Sequence, residues 1–78
     1  MKKVEIYSTQ TCHYCHMAKD FFGQNKIQFT DHDVTSDRTL QQEMVKRSGL
    51  TFVPQIYVDD VLVQGFDEPK LRELLEIK

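Results

Sequence analysis

The chain reads as an α/β protein with the element order β-α-β-α-β-β-α, and three observations predict it. Two runs rich in strand-forming residues, Val4–Ser8 and Gln28–Val34, bracket a segment whose apolar residues recur at helical spacing. A second helical segment follows. After it, two β-rich runs are separated only by the acidic pair Asp59-Asp60, which marks an antiparallel hairpin. A strand–helix–strand crossover makes its two strands parallel. The hairpin then adds antiparallel strands, giving a mixed sheet with helices on both faces.

Each element has a local reason. Val4-Glu5-Ile6-Tyr7-Ser8 carries the β-branched and aromatic residues that suit a pleated surface. From Cys12 or His13 to about Phe22, the residues Cys15, Ala18 and Phe22 fall on one helix face, while Lys19 and Asp20 point elsewhere. Gly23 and Asn25 supply the stop. Ser36 and Asp37 are candidate N-caps for the second helix, with Leu40, Met44 and Val45 as its apolar stripe. Lys46 and Arg47 suit a helix C-terminus, and Gly49 ends it. Val53-Pro54-Gln55-Ile56-Tyr57-Val58 and Val61-Leu62-Val63 form the hairpin, which Gly65 breaks. Asp67 or Glu68, with Pro69 in the first turn, opens a last helix carrying Leu71, Leu74 and Leu75. There is no repeat or linker, so residues 1–78 are expected to form a single domain.

At 78 residues the chain is near the lower limit for a self-sufficient core. Its 40% hydrophobic and 28% charged residues are ordinary for a folded protein. A net charge of −2 with no basic cluster argues against nucleic-acid and anionic-membrane partners. No transmembrane stretch or signal-peptide core is visible, and a cytoplasmic protein is expected. A permanent structural disulfide is not expected in a reducing compartment, so a cysteine pair there points to catalysis or metal binding.

Both cysteines lie in Thr11-Cys12-His13-Tyr14-Cys15-His16, which admits three parses. As CxxCH it matches a haem-attachment motif. A c-type cytochrome needs a second axial ligand, yet Met17 is too near in sequence, and Met44 sits in a helical stripe where it packs. A tetrahedral zinc site takes ligands from separated pieces of chain, whereas these four are crowded together. His32 has no companion and reads as a partly exposed strand residue, and His16 as an exposed helix residue. No metal is expected. The redox parse accounts for the surroundings. At a helix start, Cys12 meets unpaired N–H groups and the positive end of the helix dipole, which favour thiolate over thiol. Cys15, one turn on and more buried, is close enough to bridge. Cys12 is then the nucleophile and Cys15 the resolving thiol.

Several separated segments carry a family resemblance. Val4-Glu5-Ile6-Tyr7, Thr11-Cys12-x-Tyr14-Cys15-x-x-Ala18-Lys19, Lys46-Arg47-Ser48-Gly49, Val53-Pro54-Gln55-Ile56 and Gly65-Phe66-Asp67 together resemble a bacterial glutaredoxin over nearly the whole chain. The resemblance implies a thioredoxin fold with sheet order 2-1-3-4 flanked by three helices, and a cis Pro54 facing the cysteines. It implies a monomeric thiol–disulfide oxidoreductase with no bound cofactor, acting on disulfide-containing proteins or glutathione mixed disulfides. Glutathione would be the co-substrate, in contact with Tyr14, the Val53 backbone beside Pro54, and the Gly65-Phe66-Asp67 turn. A potential of about −200 to −230 mV would go with that family.

The departures are specific. Thr9 stands where such proteins usually have Lys, Leu50 and Thr51 where Arg or Gln is common, and Phe52 where Thr usually precedes Val-Pro. Gln64-Gly65 replaces a Gly-Gly pair, and His13 replaces the usual Pro, where an imidazolium would favour the thiolate. Cationic contacts for a carboxylate are therefore missing. Redoxins that serve ribonucleotide reductase and draw electrons from thioredoxin reductase lack the same charges and have a similar Gly-Phe turn, so this is the alternative. Iron–sulfur cluster binding through the first Cys, known in some glutaredoxins, ranks below both.

Overall fold

In the computed structural model, which describes residues 2–77, the chain runs β1 (Val4–Ser8), α1 (His13–Gln24), β2 (Thr30–Asp33), α2 (Arg38–Ser48), β3 (Gln55–Val58), β4 (Val61–Gln64) and α3 (Glu68–Leu75). The sheet order is β2-β1-β3-β4. β1 is parallel to β2 and antiparallel to β3, and β4 is antiparallel to β3. This is the expected mixed sheet in the expected order.

Strand alternation sorts two cores. Val4, Ile6, Ile56, Val58 and Val63 share one face, closed over by Ala18, Phe21 and Phe22 of α1 and Leu71 of α3. Tyr7 and Tyr57 lie on the other face with Val34 and Met44, under α2. β1 is central and buried at all five positions. Its one charged residue, Glu5, is only 7% exposed, and a buried carboxylate needs partners. Arg47 supplies two hydrogen bonds, Nη1 to Oε1 at 3.1 Å and Nη2 to Oε2 at 2.9 Å. His32 Nε2 donates a third at 3.2 Å. The guanidinium of Arg47 also lies 3.7 Å from the Tyr57 ring centroid. Hydrogen bonding from Arg47 holds the Glu5 carboxyl below its usual range, although burial opposes the shift.

Several boundaries differ from expectation. α1 continues through Gly23, and Asn25 ends it by placing its backbone N–H and Nδ2 on the Phe21 carbonyl, at 3.2 and 2.8 Å. β2 omits Gln28 and Phe29 because its parallel ladder begins with Thr30 opposite Glu5. Asp37, not Ser36, caps α2, its Oδ1 accepting from the Leu40 N–H at 3.0 Å. Val45 is 39% exposed, so the stripe that meets the sheet is narrower than predicted. Gly49 ends α2 in the left-handed region, at φ 75°, as a glycine there can. The hairpin turns at Asp59 and Asp60 with φ of 48° and 68°, a conformation that Asp tolerates better than most residues. Among the described residues, no helix is long and apolar enough to cross a membrane.

Candidate active site

The sheet register gathers the candidate residues at one end. Tyr7 pairs with Gln55, Gln55 with Gln64, and Ser8 with Asp33. Just beyond those pairs lie the Ser8–Cys12 turn, Val53-Pro54, the Gly65–Asp67 turn and Thr35. This is the carboxyl end of the parallel pair, where open α/β sheets place reactive groups.

Cys12 is the N-cap of α1, with extended backbone angles (φ −83°, ψ 111°), and its Sγ accepts from the Cys15 N–H at 3.1 Å. No acidic residue occupies the first turn of α1, so nothing there offsets the positive helix end. In the reduced protein, both features favour a sulfur anion over a thiol. Cys12 and Cys15 are joined as a disulfide, with their Cα atoms 5.2 Å apart. Cys15 is 0% exposed, whereas Cys12 is half-buried. Cys12 is therefore the more accessible of the two sulfur-bearing residues. Tyr14 is 61% exposed, and its ring contacts that of His13 edge-on at 5.9 Å.

His16 is exposed, as predicted, yet its ring has a role the sequence did not suggest. Its Nε2 donates to the Gln10 carbonyl at 2.8 Å. Gln10 in turn gives its backbone N–H to Thr35 Oγ1 at 2.9 Å and its Nε2 to Asp33 Oδ2 at 3.2 Å. Hydrogen bonds from Thr35, then from Gln10, hold the Asp33 carboxyl below its usual range. The loop that delivers Cys12 is thus tied to α1 on one side and to the end of β2 on the other.

The Val53–Pro54 peptide is cis and Pro54 is buried. The Pro54 carbonyl accepts from the Gly65 N–H at 3.0 Å. The Phe52 carbonyl accepts from the Gln55 side chain at 2.8 Å. Among the described residues, the Val53 N–H has no hydrogen-bond partner. In the predicted Gly65-Phe66-Asp67 contact turn, Gly65 has φ 70° and its N–H is already used by Pro54. Phe66 turns its ring onto Phe21, with centroids 5.8 Å apart, and the Asp67 carboxylate caps α3 through the Lys70 N–H at 3.2 Å. The N–H groups of Phe66 and Asp67 are the ones left without a partner among the described residues.

Thr9, Leu50, Thr51 and Phe52 place no cation on this part of the rim. Lys19 of α1 is committed to Asp31 Oδ2 at 2.6 Å, and Asp31 also accepts from Ser8 Oγ. Phe52 is 44% exposed, so the rim is apolar and uncharged on that side. Among the described residues, no three His, Cys, Asp or Glu side chains gather into a metal-sized group. Sequence reasoning missed Gln10, His16 and Gln55 as organisers of the site. Of these, Gln55 alone carried a signal, as a polar residue inside an otherwise apolar strand.

A family model described as Glutaredoxin matches residues 4–63. Glutaredoxin 3 of Escherichia coli strain K12 is 40% identical over 68 residues, covering 87% of this chain and 82% of its own. The crystal structure of glutaredoxin 1 from Francisella tularensis, complexed with cacodylate, superposes with a TM-score of 0.74 at 32% identity, covering 97% of this chain and 99% of that one. That of a mutant thioredoxin-like protein superposes with a TM-score of 0.91 at 29% identity, over 100% of both chains.

Proposed function

The chain belongs to the glutaredoxin family, a family of thiol–disulfide oxidoreductases, and from that premise we propose that it reduces protein disulfides and glutathione mixed disulfides through Cys12 and Cys15. The observation that carries this reading is Cys12 at the N-cap of α1, partly exposed and bonded to a fully buried Cys15. In the reduced protein, the Cys12 thiolate attacks one sulfur of a substrate disulfide. The substrate S–S bond breaks, a Cys12–substrate S–S bond forms, and the first substrate thiolate leaves and takes a proton. Cys15 loses its proton, and its thiolate attacks Cys12 Sγ. This forms the Cys12–Cys15 bond and releases the second substrate thiol. Two electrons pass from the dithiol to the substrate.

Glutathione as co-substrate is supported by the unpartnered amides at Val53, Phe66 and Asp67. Backbone N–H groups at a helix start suit a carboxylate, and the unpaired Val53 N–H in the loop before β3 suits a backbone carbonyl of an extended peptide. Tyr14, Val53 and Pro54 complete the site in this reading, and its setting is the reducing cytoplasm. A second reading is favoured by the rim. Phe52 and Tyr14 are exposed, and Thr9, Leu50 and Thr51 supply no cation for a charge-assisted contact to glutathione. An apolar partner surface, such as that of a flavin-dependent thioredoxin reductase, fits there instead.

The two readings separate in one comparison of electron donors for the Cys12–Cys15 disulfide. Reduction by glutathione, coupled to glutathione reductase, is the expected result. Reduction by NADPH and thioredoxin reductase, with none by glutathione, moves the protein to the second reading.

A further inference from the structure

Gln55 opens β3 directly after Pro54 and is 0% exposed. Its Nε2 donates to two backbone carbonyls of the preceding loop, Leu50 at 3.2 Å and Phe52 at 2.8 Å. A carbonyl only accepts, so these partners fix which end of the amide is nitrogen. The other end, Oε1, is buried with no partner among the described residues. An apolar side chain would fill this strand position with no orphaned acceptor. What the amide contributes is therefore the loop it holds. Ser48 holds the same loop from the α2 side, its Oγ accepting from the Leu50 N–H at 3.0 Å.

The Phe52 C=O and the Val53 N–H belong to one planar, trans peptide unit and point in opposite directions. With the carbonyl drawn inward to Gln55, the Val53 N–H is turned outward. The Gly65 N–H fixes the Pro54 carbonyl two peptide units on. We infer that Gln55 is a positioning residue: its buried amide sets the direction of the Val53 N–H, which donates to a backbone carbonyl next to the substrate's disulfide. Gln55 thereby discriminates substrates with a peptide backbone from disulfides that lack one. This rests on the oxidoreductase reading above.

The test pairs a substitution with a measurement on the unaltered protein. Gln55→Met keeps the bulk and deletes both hydrogen bonds. The expected result is a KM for a peptide mixed disulfide raised about tenfold, the weight of one misdirected backbone hydrogen bond, with kcat nearly unchanged. Single-turnover reduction of 2-hydroxyethyl disulfide by the reduced protein with no glutathione present, and iodoacetamide alkylation of reduced Cys12, should both stay at the wild-type rate. An equal loss on both substrates, or no change in KM, overturns the assignment. Should the variant fail to fold, amide hydrogen exchange of the wild type decides. In the wild type the Gln55 side-chain amide should exchange slowly and the Val53 N–H fast, and the Val53 N–H should slow once a peptide mixed disulfide is trapped on Cys12 of a Cys15→Ser variant that keeps Gln55. A Gln55 amide exchanging at the solvent rate overturns it. The Gln55 exchange needs no turnover, so an inert wild type counts against the oxidoreductase reading alone.

Discussion

At the scale of single residues, the position of Cys12 depends on contacts from side chains outside the cysteine pair. His16 is the clearest case: its Nε2 ties the Gln10 carbonyl to α1 at 2.8 Å, one residue past Cys15. His16→Leu removes that donor. A hydrogen bond of this kind contributes about 0.5–1.5 kcal/mol, so amide exchange at Gln10 and Cys12 should speed up about twofold to tenfold. Amide exchange followed by NMR measures it, and unchanged rates at both positions would mean the loop is held by Thr35 and Asp33 alone. Cys12 and Cys15 were legible because their chemistry is local: two thiols one helical turn apart at a helix start. The parts played by His16 and Gln55 were not, since their partners are backbone carbonyls, which every residue has.

At the scale of elements, Arg47 fastens α2 to the sheet through Glu5 of β1, 42 residues away in sequence. The Glu5 carboxyl is held below its usual value of 4.5 in the folded protein, chiefly by Arg47. A depressed folded-state value means the unfolded chain binds the proton more readily. The stability this pair contributes is therefore fully present above about pH 4.5, and is lost as pH falls through the lower, folded-state value. Urea midpoints measured from pH 7 to pH 3 should fall less steeply in Glu5→Gln than in the wild type. Arg47→Met, which strands a buried carboxylate, should lower stability at pH 7 by about 2–3 kcal/mol, discounted for the partial exposure of Arg47. Equal pH slopes in wild type and Glu5→Gln would contradict this role. Lys46 and Arg47 were legible as helix-end charges, but the destination of Arg47 was not, because nothing near it in sequence marks Glu5. The ends of β2 were misjudged for a similar reason. Gln28 and Phe29 have strand composition, but the partner β1 decides where the ladder begins.

At the scale of the whole molecule, one sheet end collects the reactive pair, the cis-proline loop and the turn before α3. The element order was legible from periodicity and turn residues. The strand order followed from resemblance, since periodicity does not say which strands are neighbours. The rim departs from the family pattern where Thr9 and Phe52 stand, and in the proposed function these positions bear on the electron donor rather than on the chemistry. The central claim is that Cys12 attacks and Cys15 resolves. It is tested most directly by mixing reduced Cys15→Ser with a protein disulfide and mapping the product by mass spectrometry. A stable one-to-one mixed disulfide on Cys12, with turnover of protein disulfides lost and single-thiol deglutathionylation retained, is the predicted result. Cys12→Ser should form no adduct and turn nothing over; a Cys12→Ser protein that still reduces disulfides would contradict the account.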